Sequence, residues 1–283
     1  MPFPKVKDYH KPGHPLVPSS YGIFYVLISV CYWFFLAFLG IMEGEALALA
    51  TSVLFGGVMG LFDDIVDLKW RYKALLPVFA ALPYMVLQPS DRTTIALLFY
   101  GIVNLGELFF LLLVPVLVTV TTNTYNQLGG LNGLESLSGL VVMVGLTIMS
   151  NNYVLTIVPL VCLLGLGYLS YRGQAFIGNV GSFSIGLTLA VYSILTNLKL
   201  VLLISMTPFV LNSVLILFSN YILRDRAHTS MDAQGRLSSH SVRSLRTLIL
   251  HNRRLTEHQT VVLLCTLITI TTLCGLLYHW MRY

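Results

Sequence analysis

With 283 residues, 56% of them hydrophobic, only 10% charged and a mean hydropathy of +0.78, the chain cannot be a soluble domain, where about a quarter of residues carry charge. The formal net charge of +5 gathers in a few segments flanking apolar runs, so it requires no nucleic-acid partner. The composition is that of an all-α polytopic membrane protein.

In chain order, the first twenty residues are polar and proline-rich, without the apolar core of a cleavable signal peptide. Apolar runs of bilayer-crossing length, about 20 residues, then begin near Tyr21, Ala46, Ala74, Glu107, Leu137, Tyr153, Phe183, Leu200 and Gln259, giving nine predicted transmembrane helices. The stretch from Thr94 to Gly106 is apolar but short. It carries Tyr100, Gly101, Asn104 and Gly106 and runs into the next span without a polar break, which predicts an interfacial hairpin or re-entrant piece.

With the N-terminus inside, the cytoplasmic segments are 1–20, 64–73, 127–136, 171–182 and 223–258. They hold 14 of the 17 Lys and Arg residues and leave only Arg92, Lys199 and Arg282 outside, as the positive-inside rule expects. Counting 94–106 as a tenth span would put the basic N-terminus and the basic 223–258 loop on opposite faces. Residues 1–283 read as one transmembrane domain without repeats. Cys31, Cys162, Cys265 and Cys274 are isolated, with no zinc or redox spacing.

The polar clusters all fall on the predicted cytoplasmic face. In "GLFDDIVDLKWRYK" at 60–73, Asp63, Asp64 and Asp67 are three of the chain's 12 acidic residues. On a helical end Asp63 and Asp67 share a face and repel. A divalent cation such as Mg²⁺, held by carboxylates and substrate phosphates, would compensate them, and Lys73 could reach a phosphate oxygen. The plainer alternative is a solvated loop whose acids pair with Lys69, Arg71 and Lys73. Three carboxylates beside a span favour metal and phosphate.

"TNTYNQLGGLNGLE" at 122–135 places Asn123 and Asn126 on one helical face and adds Asn132, with Gly129, Gly130 and Gly133 between. Amides can ligate a metal through oxygen or read a nucleobase edge. A glycine-capped helix end would explain the glycines but not three asparagines. "GNVGS" within 176–186 reads by itself as a turn followed by a Ser N-cap, and Arg224 and Arg226 read by themselves as anchors after a span.

In this order these motifs resemble the polyprenyl-phosphate N-acetylhexosamine-1-phosphate transferases, a family that includes the eukaryotic dolichyl-phosphate GlcNAc-1-phosphate transferase and the bacterial phospho-MurNAc-pentapeptide translocase. The likeness runs from "KDYHKPGHPLVP" to the basic 223–258 loop and is nearest to the archaeal and eukaryotic branch. It rests most on the paired aspartates with their Trp-basic-x-Lys ending and on N-x-x-N followed by N-G-L-E.

The resemblance implies transfer of a hexosamine 1-phosphate, GlcNAc first among them, from a UDP-sugar to polyprenyl or dolichyl phosphate with release of UMP. This would be the first step of a lipid-linked glycan for N-glycosylation. It implies Mg²⁺, with Mn²⁺ as a substitute, and a homodimer by likeness to the bacterial members. The setting would be a cell membrane of archaeal type or the endoplasmic reticulum.

Carried across, Asp63, Asp64 and Lys73 are catalytic, and Asn126 and Asn179 hold the metal. Asp67, Asn123, Asn132, Phe176, Arg224 and Arg226 bind the nucleotide sugar, with Asn132 and Phe176 on the uracil. Lys11, in the "D-x-x-K" segment, joins Lys73 on the lipid phosphate.

Three departures stand out. Asn179 occupies a position where the family has Asp. Asp225 lies between the two arginines where the eukaryotic enzyme has His, with His228 nearby as a substitute or a surface residue. The family also has ten spans, whereas this chain starts about where the first of them should end.

Two other readings compete. "DDIVD" is also the D-D-x-x-D of intramembrane prenyltransferases, but the second Asp-rich motif they use is absent. Asn179 alone would suit an inactive paralogue or lipid-phosphate carrier. Against that, the aspartate pair and Lys73 are intact, and transporters place their polar groups near mid-membrane.

Overall fold

A helix whose every face is apolar or small can be buried all round. In the computed structural model, which describes residues 3–87, 93–97, 101–225 and 228–282, that helix is α8 (Gly178–Leu195), with every residue from Val180 to Ile194 buried. Packed against it are α1 (Gly22–Phe38), α2 (Glu43–Val66), α5 (Val114–Leu128) and α6 (Leu134–Ser150). The outer layer comprises α3 (Trp70–Ala80), α4 (Leu82–Leu87), α7 (Ile157–Tyr171), α9 (Lys199–Ser205), α10 (Thr207–Phe218) and α12 (Glu257–Arg282).

Among the described residues, four helical stretches are long and apolar enough to cross a membrane: Glu43–Val66, Phe109–Leu128, Gly178–Leu195 and Glu257–Met281. The α9–α10 pair makes a fifth if counted as one span bent by 54°, and α1, α6 and α7 are apolar but shorter. Both interruptions have a local cause. Pro83 and Pro208 have no N–H to donate to the carbonyl four residues back, so each sits at the start of a new helix, and the chain breaks at Ala81 between α3 and α4 and at Met206 between α9 and α10. The stretch Phe109–Leu128 opens with a π-helical turn, Phe109–Leu113, ahead of α5.

Strands are confined to connections, where backbone groups outside helices still need partners. β1 (Lys5–Lys7) pairs antiparallel with β2 (Leu16–Pro18), and β3 (Thr94–Leu97) with β4 (Gly101–Asn104). β5 (Ser230–Met231), β6 (Arg236–Ser238) and β7 (Leu255–Thr256) form a three-stranded antiparallel sheet beside the short α11 (Leu245–Leu250). The all-α expectation therefore becomes a mainly helical fold with, among the described residues, three small sheets, one of them pairing strands within the expected 94–106 hairpin or re-entrant piece. Helix α2 also runs two residues past Asp64, so the loop expected from residue 64 starts later.

Close approach at glycine sets the position of α2. A Cβ on Gly60 would lie 2.4 Å from the Asn179 carbonyl oxygen and 2.5 Å from the Val180 Cα, both backbone atoms that cannot swing aside. Small residues at such crossings let membrane helices touch backbone to backbone. Gly60→Ala is therefore expected to lower the melting temperature in detergent, by the equivalent of about 1–3 kcal/mol of overpacking. An unchanged melting curve would show that this contact does not hold the two helices in place.

Candidate active site

The aspartate segment is built on a helix end. α2 stops at Val66, and Asp67 follows in a left-handed conformation at φ 51°, so Asp67 leaves the helical face that it was expected to share with Asp63. Asp63 is buried at 2% exposure. Its Oδ1 lies 2.8 Å from Lys73 Nζ and accepts from the Leu68 N–H at 2.9 Å. Its Oδ2 is buried with no hydrogen-bond partner among the described residues.

Lys73 also reaches Asp67 at 3.3 Å, where the Asp67 side chain is 97% exposed. Burial alone would lower the lysine pKa, but the Asp63 and Asp67 carboxylates outweigh it and raise it above the usual value. With Asp67 outside, the D-D-x-x-D acids do not converge on one point, which counts against the prenyltransferase reading.

Asp64 is directed elsewhere. Its Oδ1 accepts from the Asn179 N–H at 2.8 Å, and its Oδ2 from Val180 N–H at 3.3 Å and the Ser20 hydroxyl at 2.8 Å. A carboxylate from α2 thus caps the N-terminus of α8, where unpaired N–H groups and the helix dipole favour a negative charge. Ser182, expected as the cap, lies a turn inside and accepts from Asn126 Nδ2 at 2.6 Å. The same Asn126 Nδ2 donates to Asn179 Oδ1 at 2.9 Å. The two asparagines expected to hold a metal are therefore in contact.

Each asparagine of this pair lines a cavity of its own. One, of about 310 Å³, is polar and is lined by Asp8, His10, Asp64, Asn132, Phe176 and Asn179 among others. The other, of about 450 Å³, runs between α3, α5 and α10 with Lys73, Asn123 and Asn126 along mostly apolar walls that include Val120 and Leu217. Asn179 lines the first and Asn126 the second. Asn123 donates to the Ala74 carbonyl at 3.2 Å. Arg224, exposed and left-handed at φ 51°, lines an adjoining cavity that shares Trp70, Gln127 and Leu217 with the second. Arg226 lies outside the described residues, as does Arg92. Asp225 pairs with Arg243 at 3.1 Å.

Asn132 is 1% exposed and held from two sides. Its N–H donates to Glu257 Oε1 at 2.8 Å, and its Nδ2 donates to Glu257 Oε2 at 2.9 Å and Asp8 Oδ2 at 2.8 Å. Lys11 lies 3.6 Å from Asp8 Oδ2 and donates to the Arg172 carbonyl at 3.4 Å. Asp8, His10 and Glu257 offer ligand atoms within 4.8 Å of one another. Yet Lys11 and Arg246 face their charges and Asn132 occupies their oxygens, so the cluster is complete without a cation. Burial, then the Arg246 charge, depress the His10 pKa to about 4 against the pull of Asp8, leaving His10 neutral at pH 7.

Mg²⁺ calls for hard oxygen donors. The unpartnered Asp63 Oδ2 and the amide oxygens of Asn126 and Asn179 supply them, so the residues fit the ion expected from the resemblance. Glu135, quoted in N-G-L-E but given no role, also lines the polar cavity, where burial and then Asp64 push its carboxyl up to about 8. Glu257 and Asp8 carried no usable signal, since 125 and 124 residues separate them from Asn132.

The family model for glycosyl transferase family 4 matches residues 46–197, which span the aspartate loop, the asparagine segment and Asn179. The chain belongs to glycosyl transferase family 4. With its apolar helices, a family 4 chain of this kind is an integral membrane protein. It is similar to a protein of Saccharolobus solfataricus provisionally named UDP-N-acetylglucosamine–dolichyl-phosphate N-acetylglucosaminephosphotransferase, 28% identical over 269 residues, or 91% of this chain and 83% of that one. A Sulfolobus acidocaldarius protein with the same provisional name is 32% identical over 183 residues, 62% and 56% of the two chains. The Dictyostelium discoideum protein of that name is 27% identical over 255 residues, 72% and 62% of the two chains. The family 4 chain thus spans less than two thirds of the second and third of these relatives.

Proposed function

We propose that the protein transfers N-acetylglucosamine 1-phosphate from UDP-N-acetylglucosamine to dolichyl or a related polyprenyl phosphate. An oxygen of the lipid phosphate attacks the β-phosphorus of the donor, the bond to the α-phosphate oxygen breaks, and UMP leaves. The observation that carries this reading is the Asn126–Asn179 contact, which links a residue lining a polar cavity to one lining a mostly apolar cavity. A water-soluble donor and a greasy acceptor would meet there.

In this scheme the base and ribose occupy the polar cavity beside Asn132 and Phe176, and the acceptor lies along the α3–α5–α10 groove. Lys73 offers its ammonium to phosphate oxygens, and Asp63 holds that ammonium in place. Asp64 fixes the N-terminus of α8 and with it Asn179. Arg224 lines the cavity adjoining that groove and would bind the sugar and phosphate, the role that the resemblance also gives Arg226. Mg²⁺, held by Asp63, Asn126 and Asn179, would neutralise charge on the phosphates, since phosphoryl transfer is mostly positioning and charge stabilisation. Nine spans, with the site on the cytoplasmic face of a cell membrane, belong to the same proposal.

The test is UMP release by detergent-purified protein from UDP-N-acetylglucosamine and dolichyl phosphate, with and without Mg²⁺. Release is expected to require both lipid and metal; release without lipid, or none, would sink the assignment. Asn179→Asp keeps the acceptor for Asn126 and adds a negative charge. It is expected to lower the half-saturating Mg²⁺ concentration about tenfold, a change of ~1.4 kcal/mol. An unaltered Mg²⁺ curve would remove residue 179 from the metal site.

A further inference from the structure

We infer that Glu257, helped by Asp8, is the positioning residue that makes the base site read uracil and reject cytosine. The inference rests on the assignment of the polar cavity to the nucleotide. Both hydrogens of the Asn132 amide are committed: Nδ2 donates to Glu257 Oε2 at 2.9 Å and to Asp8 Oδ2 at 2.8 Å. Glu257 also fixes the backbone, because its Oε1 accepts the Asn132 N–H at 2.8 Å.

A carboxylate oxygen is an acceptor, so the amide has one sensible orientation; turning it over would set Oδ1 against the oxygens of Glu257 and Asp8. The remaining atom, Oδ1, receives no hydrogen bond among the described residues, and Asn132 lines the cavity. What the site presents is therefore an acceptor that cannot become a donor. Uracil carries a hydrogen on N3 and satisfies it, whereas cytosine has a lone pair there and leaves two acceptors face to face. A free asparagine would rotate to suit either base. Here the first residue of α12 and a residue of the loop after β1 prevent that rotation.

The experiment measures UDP and CDP affinity by titration calorimetry on the purified full chain. Native protein is expected to favour UDP over CDP by about tenfold or more, as an unsatisfied buried polar group implies. N3-methyl-UDP is expected to bind as poorly as CDP. In Glu257→Gln the introduced amide can donate to a turned-over Asn132, so the UDP:CDP ratio is expected to fall several-fold, with Asp8→Asn moving it the same way. A purely structural role would weaken both nucleotides alike and leave the ratio unchanged, which would overturn the inference, as would N3-methyl-UDP binding like UDP to native protein. Failure of native protein to bind UDP at all would instead overturn the assignment of the cavity.

Discussion

The Asp63→Asn protein is expected to fold normally and to release UMP more than about 100-fold more slowly than native protein, a typical loss when one pre-aimed polar group is removed from a transition state. The asymmetry of the native carboxylate is the reason. Oδ1 already serves Lys73 and the Leu68 N–H, and an amide oxygen can take over both. Oδ2 is buried without a partner, and buried polar atoms left in that state are costly unless something completes them. An amide puts two hydrogens at this position, where a cation would then meet a donor of the wrong sign. Turnover and melting temperature, measured on the same preparation, check the result. Full activity would mean that the orphaned oxygen plays no part in transfer.

Lys73→Met is expected to fail in a different way, losing stability together with turnover. The substitution keeps much of the stem volume but strands the Asp63 carboxylate, and breaking a buried pair from one side costs about 3–5 kcal/mol. Lys73 is 27% exposed, so the lower end applies. Acidification should narrow the gap in melting temperature between variant and native protein, because the stranded carboxylate can then be neutralised. In the native protein the folded lysine pKa is raised. Its contribution is thus fully present below the ordinary lysine value and lost only as the pH rises through the raised one. Native stability should therefore show no pH dependence from this pair near neutrality. A Lys73→Met protein that melts like native at neutral pH would refute the argument.

Much of the candidate site's geometry is legible in the sequence because its residues sit at helix ends within short motifs. Asp63, Asp64, Lys73, Asn126 and Asn179 were all singled out, and their contacts follow from two helix termini brought together. The apolar runs beginning at Tyr21, Ala46 and Glu107 likewise correspond to helices starting at Gly22, Glu43 and Phe109. What escaped depended on distance along the chain or on backbone detail. Asp64 as the cap of α8 could not be seen, because "GNVGS" contains its own plausible cap and nothing local says that another helix supplies it. Asp67 looked like a helical neighbour of Asp63 until the left-handed turn removed it. The strands β5 to β7 are two or three residues long, too short for alternation to register.

The Asn132 clamp has a consequence for how the protein matures. Asn132 is held by Asp8 and by Glu257, while Asp63, Asp64, Lys73, Asn126 and Asn179 all precede residue 180. During synthesis, a chain inserted as far as α8 already carries those groups but has no Glu257 to orient the amide proposed to read the base. On the proposed reading, competence to choose a donor arrives only with α12, so a translation product cut short before α12 should be unable to select its nucleotide.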